Sequence, residues 1–198
     1  MNVPLSDAAP LACQIRAARN SDADALADLL VSSFHRQEGL AGLLYPFWRM
    51  ALREDIRNRL RRQSLHYCCL VAVVQPPKAA ATSASDSPDI VGTVEMSLRP
   101  QFTLPMQYWF RSFPYLSNLA VMSTYRRHGI ASRMITVCET TAKQWGYQDL
   151  YLHVLENNEV ACALYQRLGF SICRTEFNPL TMILGQPRQI LLHKALVP

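Results

Sequence analysis

The run YLSNLAVMSTYRRHGIAS, over residues 115–132, constrains this chain more than any other feature, because a strand turns directly into a helix there. Leu119, Ala120 and Val121 predict a strand, and apolar residues recur at helical spacing after Gly129. Backbone N–H groups at a helix N-terminus have no intrahelical acceptor, and with the helix dipole they favour a phosphate. Gly129 lacks a Cβ atom, so a ligand can approach the backbone closely. The run predicts either a pyrophosphate site or an ordinary strand-to-helix connection.

The composition suits one domain over residues 1–198, because 198 residues with 49% hydrophobic content can bury a sizeable core. The apolar runs are too short to span a membrane, and the N-terminus lacks the basic start of a secretory signal. We therefore expect a cytoplasmic protein, or a plastid stromal one if a transit peptide is missing from this chain. The six cysteines form no CxxC pair and the five histidines are scattered, so no metal site is expected.

The net charge of +5 has a local source, since six arginines and two acidic residues fall between residues 49 and 62. Apolar residues at helical spacing make this a basic amphipathic helix. It is either a solvated face or a surface that attracts an acidic protein, cofactor phosphates or a nucleic acid. No DNA- or RNA-binding motif accompanies it, so a nucleic-acid partner is not expected.

The hydrophobic pattern predicts an α/β (α+β) fold with elements in the order β-α-α-β-β-β-α-β-α-β-β. Strands are expected at 13–18, 66–74, 90–98, 119–121, 149–155, 170–175 and 189–195. Helices are expected from a cap at Asn20 or Ser21 to Phe34, over 40–62, after Gly129, and over 160–168. Residues 76–89, rich in Pro, Ala and Ser, predict a mobile loop, and the aromatic segment 99–114 predicts a second long loop that either binds a ligand or covers the core.

Two motifs in this order resemble those of the GNAT superfamily of N-acetyltransferases. Arg126, Gly129 and Ala131 match the family's acetyl-CoA motif, Gln or Arg, two residues, Gly, one residue, Gly or Ala. In NNEVACALYQRLGF, Asn158 and Tyr165 match the family's asparagine and tyrosine, seven residues apart. The resemblance covers nearly the whole chain and implies a mixed, splayed sheet of about seven strands with about four helices. More loosely, the chain resembles the cyanobacterial and plastid branch, some of whose members acetylate both protein lysines and protein N-termini.

The resemblance implies acetyl-CoA as the co-substrate, with its pyrophosphate on the turn and its pantetheine arm added to the strand before it. Asn158 is implied beside the pantetheine, and Tyr165 near the thioester sulfur, where its phenol can protonate the departing thiolate. The implied cofactor-binding residues are Leu119, Ala120, Val121, Arg126, Arg127, His128, Gly129, Ile130, Ala131, Ser132, Asn158 and Tyr165.

Acetyl transfer to an amine needs a base, because a lysine amine with a pKa of about 10.4 is mostly protonated at neutral pH. The resemblance makes Glu95, on the strand beside the pantetheine strand, the first candidate, acting through water. His153 is the second, because an imidazole suits a base at neutral pH. It departs from related N-terminal acetyltransferases, which carry a glutamate in that neighbourhood, and either residue can instead be structural.

The expected function is direct acetyl transfer from acetyl-CoA to a protein or peptide amine, either a lysine side chain or an N-terminal α-amine, without a covalent acetyl-enzyme. A small amine such as an arylalkylamine, enclosed by the aromatic segment, is the alternative acceptor. A non-catalytic module that binds CoA or a nucleic acid is an alternative of another class.

Overall fold

Seven strands form one mixed sheet in a computed structural model that describes residues 12–34, 45–62, 64–75, 89–100, 112–176 and 187–196. The strands are β1 (Cys13–Ala17), β2 (Tyr67–Val74), β3 (Asp89–Pro100), β4 (Ser112–Val121), β5 (Asp149–Leu155), β6 (Ser171–Glu176) and β7 (Gln189–Ala195). The helices are α1 (Ala23–Phe34), α2 (Tyr45–Arg61), α3 (Ile130–Gln144) and α4 (Glu159–Arg167). The predicted fold class and the predicted order of elements are confirmed.

The sheet has the order β1-β2-β3-β4-β5-β7-β6, and β4 and β5 form its parallel pair. Their pairing is limited to Tyr115 with Tyr151 and Leu116 with Leu152. Beyond these pairs β5 continues beside β7, as far as Leu155 opposite Gln189. Within the described ranges, residues 117–121 of β4 therefore have a partner strand on the β3 side alone. The two central strands splay apart, as the resemblance implied.

Helices cover the two faces of the sheet with separate apolar cores. On β2, Leu70, Ala72 and Val74 pack in the core that contains α3 and Tyr165 of α4. The alternate residues of the same strand, Cys69, Val71 and Val73, pack against α1 and α2. Because successive side chains of a strand point to opposite faces, this alternation assigns each helix pair to one side of the sheet.

The arginines of α2 are largely matched by nearby carboxylates. Arg49 pairs with Asp28 of α1, and Arg53 lies 2.5 Å from Asp24 of the same helix. Arg57 also approaches Asp24, at 3.7 Å. Exposed pairs of this kind each stabilise a fold by at most about 1 kcal/mol. Arg49, Arg53 and Arg57 are therefore engaged in the packing contact between α2 and α1.

Several element boundaries differ from the sequence predictions. The segment 99–114 is strand at both ends, because Arg99 pairs with Phe113 and Pro100 with Ser112 and so extends the β3–β4 ladder. The first helix has no cap at Asn20 or Ser21; a 3-10 turn over Asn20–Asp22 precedes it, and Asp22 accepts the backbone N–H of Arg19 at 2.7 Å. Residues 40–44, 76–88 and 101–111 lie outside the described residues.

No helix in the part of the chain that the structure describes is long and apolar enough to cross a membrane.

Candidate active site

A bulge bends β4 at the point where it leaves β5. The β3–β4 register shifts between Thr93 and Glu95, which pair with Ala120 and Ser117 respectively, so β4 carries one extra residue there. Asn118 adopts a left-handed φ of 53° within this bulge. Bulges re-aim a strand and are common beside active sites. The result is a free strand edge over residues 119–121, next to the opening between β4 and β5.

The turn after β4 has the shape of an anion site. Arg127 and Gly129 both have positive φ, 67° and 74°, and Gly129 is the N-cap of α3. Successive amides in such a turn form a concave nest at the positive end of the helix dipole. Arg126 is exposed, but its Nε donates to the carbonyl of Val121 at 3.0 Å and holds the turn against β4. Arg127, His128 and Gly129 remain exposed.

Asn158 and Tyr165, at the two ends of α4, have different environments. The Oδ1 atom of Asn158 accepts the N–H of Ala161 at 3.2 Å, so this exposed asparagine caps the helix. Tyr165 is buried and lies edge-on to Phe170, with ring centres 5.7 Å apart. Burial raises the pKa of Tyr165 to about 12, with smaller contributions from Tyr115 and Cys162. The phenol is therefore protonated at neutral pH and can donate a hydrogen bond.

The buried carboxylate of Glu95 is held by hydrogen bonds, one of them from α2. Its side chain is 4% exposed, and Oε2 accepts from Nη1 of Arg59 at 2.5 Å. Oε1 accepts from Nδ2 of Asn118 at 3.0 Å, which ties the carboxylate to the bulge. Burial, followed by the nearby Glu95 carboxylate, raises the pKa of Tyr67. Both oxygens of Glu95 are thus engaged in holding α2 and the bulge of β4 together.

His153 lies at the splay point, the place where β4 and β5 separate, and it contacts Tyr115, which the sequence motifs did not identify. Its Nδ1 atom is 2.8 Å from the hydroxyl of Tyr115, the residue that pairs with β5 where the two strands part. Burial raises the pKa of Tyr115, while Arg99 and His153 lower it. The guanidinium of Arg99 sits 3.6 Å from the centre of the Tyr115 ring. Tyr115 is the first residue of the sequence run that also contains the turn. It reaches His153 because β4 pairs with β5, a strand that is distant in the sequence.

The other ring nitrogen of His153 is turned toward β6. Nε2 is shielded from solvent and lies 3.2 Å from Oε1 of Glu176, without the in-line geometry of a full hydrogen bond. Glu176 Oε1 also accepts from Nη2 of Arg174 at 2.9 Å. Hydrogen bonding to Arg174 is the main cause that lowers the pKa of Glu176, and His153 adds to it. A phenol, an imidazole and a carboxylate therefore follow one another across the sheet.

Aromatic side chains extend this site along one row of the sheet. Tyr151 contacts Phe113 and His193 with ring centres 4.6 and 4.7 Å away, and His193 Nε2 lies 2.6 Å from Asp149. Directly paired residues share a face, so the row is continuous across five strands: Tyr67, Ser97, Tyr115, Tyr151 and His193. At its far end is an open cavity of about 260 Å³ lined by Arg59, Arg62, Ser64, His66, Tyr67, Ser97 and Leu98.

Among the described residues, no group of three or more His, Cys, Asp or Glu side chains could hold a metal ion. Tyr115 and His153 are in contact, and the free edge of β4 lies between this pair and the turn before α3. Burial is the main cause that raises the pKa of Tyr165, and Tyr115 adds to it. Glu95 is hydrogen-bonded to Arg59 and to Asn118, the second of which lies next to the free edge of β4.

Comparison with known proteins agrees with this architecture. The model of the Acetyltransferase (GNAT) family matches residues 46–170. This chain belongs to the GNAT family. Its curated relatives include GCN5-related N-acetyltransferase 10, chloroplastic, of Arabidopsis thaliana, 27% identical over 172 residues, which are 86% of this chain and 60% of that protein. The GNAT chain spans about half the length of the curated relatives it matches.

Solved structures share the GNAT fold at low sequence identity. PaiA N-acetyltransferase from Thermoplasma acidophilum, in complex with coenzyme A, has a TM-score of 0.64 and 16% identity over 93% of this chain and 99% of that one. Arabidopsis thaliana NAA60, in complex with a bisubstrate analogue, has a TM-score of 0.61 and 20% identity over 92% of this chain and 98% of that one. These likenesses extend the GNAT fold assignment well beyond the residues that the family model matches.

Proposed function

We propose that this protein transfers the acetyl group of acetyl-CoA directly to a protein amine in a ternary complex. The observation that carries the proposal is the free edge of β4, which has an anion-favouring turn at one end and the Tyr115–His153 pair at the other. Membership of the GNAT family, the coenzyme A complex of PaiA and the bisubstrate complex of NAA60 support it.

Cofactor binding uses backbone groups. The amides of residues 127–132 hold the pyrophosphate, because they lie at the N-terminus of α3 beside two positive-φ residues. Leu119, Ala120 and Val121 pair with the pantetheine amides as an additional strand would, since their edge faces the opening between β4 and β5. Asn158 flanks the arm while its side chain caps α4. The thioester then points along β4 toward Tyr115.

His153 and Tyr115, rather than Glu95, accept the proton of the attacking amine. The amine nitrogen forms a bond to the thioester carbonyl carbon and gives its proton to the oxygen of Tyr115, while the phenol proton passes to Nδ1 of His153. A backbone N–H near residues 119–121 stabilises the oxyanion, an effect of about 3 kcal/mol for a well-placed donor. The carbon–sulfur bond then breaks, and the sulfur takes a proton from Tyr165, which is protonated at neutral pH.

The favoured acceptor is an N-terminal α-amine, with lysine second. An α-ammonium has a pKa of about 7.7–8.0 and a lysine ammonium about 10.4, so a base of imidazole type deprotonates the first far more readily. The similarity to chloroplastic N-acetyltransferases supports a plastid stromal setting, with cytoplasm as the alternative.

An acetyl-CoA assay tests this function. Purified protein should acetylate a mixed peptide library, with a higher kcat/KM for free N-termini than for internal lysines at neutral pH. An arylalkylamine in the same reaction measures the small-amine alternative by competition. Transfer to the small amine alone would reassign the acceptor. Absence of transfer to every amine, with salt-dependent binding to a nucleic acid, would favour the non-catalytic module.

Gly129→Ala should weaken acetyl-CoA binding about tenfold, because a non-glycine residue at φ 74° shifts the turn whose amides hold the pyrophosphate. Isothermal titration with acetyl-CoA measures this change. Gly146→Ala is the matched control, since Gly146 follows α3 with φ 85° and, like Gly129, has open space where a Cβ would lie.

Both variants should lose about 1–2 kcal/mol of stability from the same backbone strain. Only the first should change the acetyl-CoA affinity. Equal affinities for the two variants and the wild type would exclude the turn as the pyrophosphate site.

A further inference from the structure

We infer that Glu176 is a positioning residue that orients His153, so that Tyr115, His153 and Glu176 act as one proton relay. The inference rests on the proposed function, because a relay matters only if a proton leaves the acceptor amine. Glu176 ends β6 and lies outside both motifs that resemble the GNAT pattern. Its role therefore comes from the arrangement of the strands.

The sheet topology carries Glu176 to the splay point. Glu176 pairs with Gln189 of β7, and Gln189 pairs with Leu155 of β5, two residues beyond His153. Residues two apart on a strand share a face, so Glu176 and His153 point to the same side of the sheet. The contact that results is the 3.2 Å approach of Oε1 to the solvent-shielded Nε2.

This approach selects one tautomer of the imidazole. A neutral imidazole carries its proton on one nitrogen and accepts with the other. With a carboxylate beside Nε2, the proton resides there, and the lone pair of Nδ1 is left for the Tyr115 hydroxyl at 2.8 Å. That is the tautomer needed to take the phenol proton. When the ring becomes a cation, the same carboxylate stabilises it, as the third member of a catalytic triad does.

The other groups around His153 agree with this role. Arg174 donates to Glu176 and keeps the pKa of that carboxyl low, so it is an anion at neutral pH. Arg99 covers the ring of Tyr115 from β3. β7 presents the apolar Leu191 opposite His153. Among the described residues, Glu176 is therefore the carboxylate that faces the imidazole directly.

Glu176→Gln in the full chain tests the relay. We expect kcat for peptide acetylation to fall about tenfold to a hundredfold, with KM for acetyl-CoA unchanged, because the cofactor contacts lie elsewhere. The acid limb of the kcat/KM profile should move to lower pH, since a negative charge that favours the imidazolium is lost. Glu176→Asp, which keeps the charge, should recover part of kcat. Glu54→Gln, the same substitution at an exposed carboxylate of α2, should leave kcat unchanged.

Nitrogen-15 NMR of the imidazole rings gives a readout that is independent of turnover. The His153 signals, assigned by their loss in His153→Gln, should show the Nε2–H tautomer in the wild type and a mixture of tautomers in Glu176→Gln. A wild-type kcat and pH profile in Glu176→Gln would overturn the relay. An inactive wild type that still shows the tautomer change would instead contradict the proposed function and leave the positioning role of Glu176 intact.

Discussion

Tyr115→Phe should lower kcat for peptide acetylation about a hundredfold or more, while KM for acetyl-CoA changes little. The variant keeps the buried ring and its contact with Arg99 but removes the hydroxyl that lies 2.8 Å from His153. General base groups typically contribute factors of about 10² to 10⁴. Steady-state kinetics measure the loss, with an uncharged peptide that has a free N-terminus as the acceptor and with saturating acetyl-CoA.

The chain offers a close control in Tyr151→Phe. Tyr151 pairs directly with Tyr115 across the two strands, and it lies on the same face of the sheet. It contacts Phe113 and His193 but not the ring nitrogens of His153. Loss of the Tyr151 hydroxyl should change kcat by less than about threefold, because proton transfer depends on a specific contact rather than on aromatic packing.

A double variant tests whether Tyr115 and His153 form a unit. His153→Gln alone should lose about as much kcat as Tyr115→Phe, and both changes together should lose little more, because residues that act in one step are strongly non-additive. Additive losses would show two independent roles. A Tyr115→Phe enzyme with full activity would remove the pair from the mechanism.

Glu95→Gln should have the largest effect on stability. The neutral amide cannot accept from Arg59 and Asn118 together without turning an N–H toward a donor. Breaking a buried charge pair costs about 3–5 kcal/mol, and the partial exposure of Arg59 reduces this to about 2–4 kcal/mol. Urea denaturation followed by circular dichroism measures the difference in the free energy of unfolding.

Asp55 is the second carboxylate that pairs with Arg59, and its side chain is 61% exposed. Asp55→Asn should therefore cost less than about 1 kcal/mol of stability. Below its unfolding transition, the Glu95→Gln enzyme should retain kcat within about tenfold, since a bystander to proton transfer affects rate only through geometry. If the variant is stable and its kcat falls by several orders of magnitude, Glu95 is the base and the relay is not.

Most helices and strands of this fold could be predicted because each one has a pattern of apolar residues within its own stretch of sequence. β5 and β7 have the predicted bounds, Asp149–Leu155 and Gln189–Ala195, and in β5 buried and less buried residues alternate along the strand. The bounds of β3 and β4 were underestimated because their ladder extends through prolines, which local propensity disfavours. The charge of α2 was similarly ambiguous, since the matching carboxylates of α1 lie more than twenty residues away.

The candidate site also has one part that the local sequence predicts and one part that it does not. The turn at Arg126, Gly129 and Ala131 is contiguous in sequence, so its residues and its predicted ligand could be selected together. Tyr115, His153 and Glu176 come from three strands, and their contacts depend on the parallel register of β4 with β5 and on the position of β7 between β5 and β6. Such registers are decided by packing over the whole sheet, which no single window of sequence contains.

The free edge of β4 has a consequence for the protein when no ligand is bound there. Unpaired strand edges are templates on which another chain can add a strand, and natural proteins usually protect them with charges or cover. Residues 119–121 carry no charged side chain, so charge does not protect this edge. We therefore expect that acetyl-CoA, bound to this edge as proposed, suppresses self-association. The solubility of the protein would then follow the supply of acetyl-CoA.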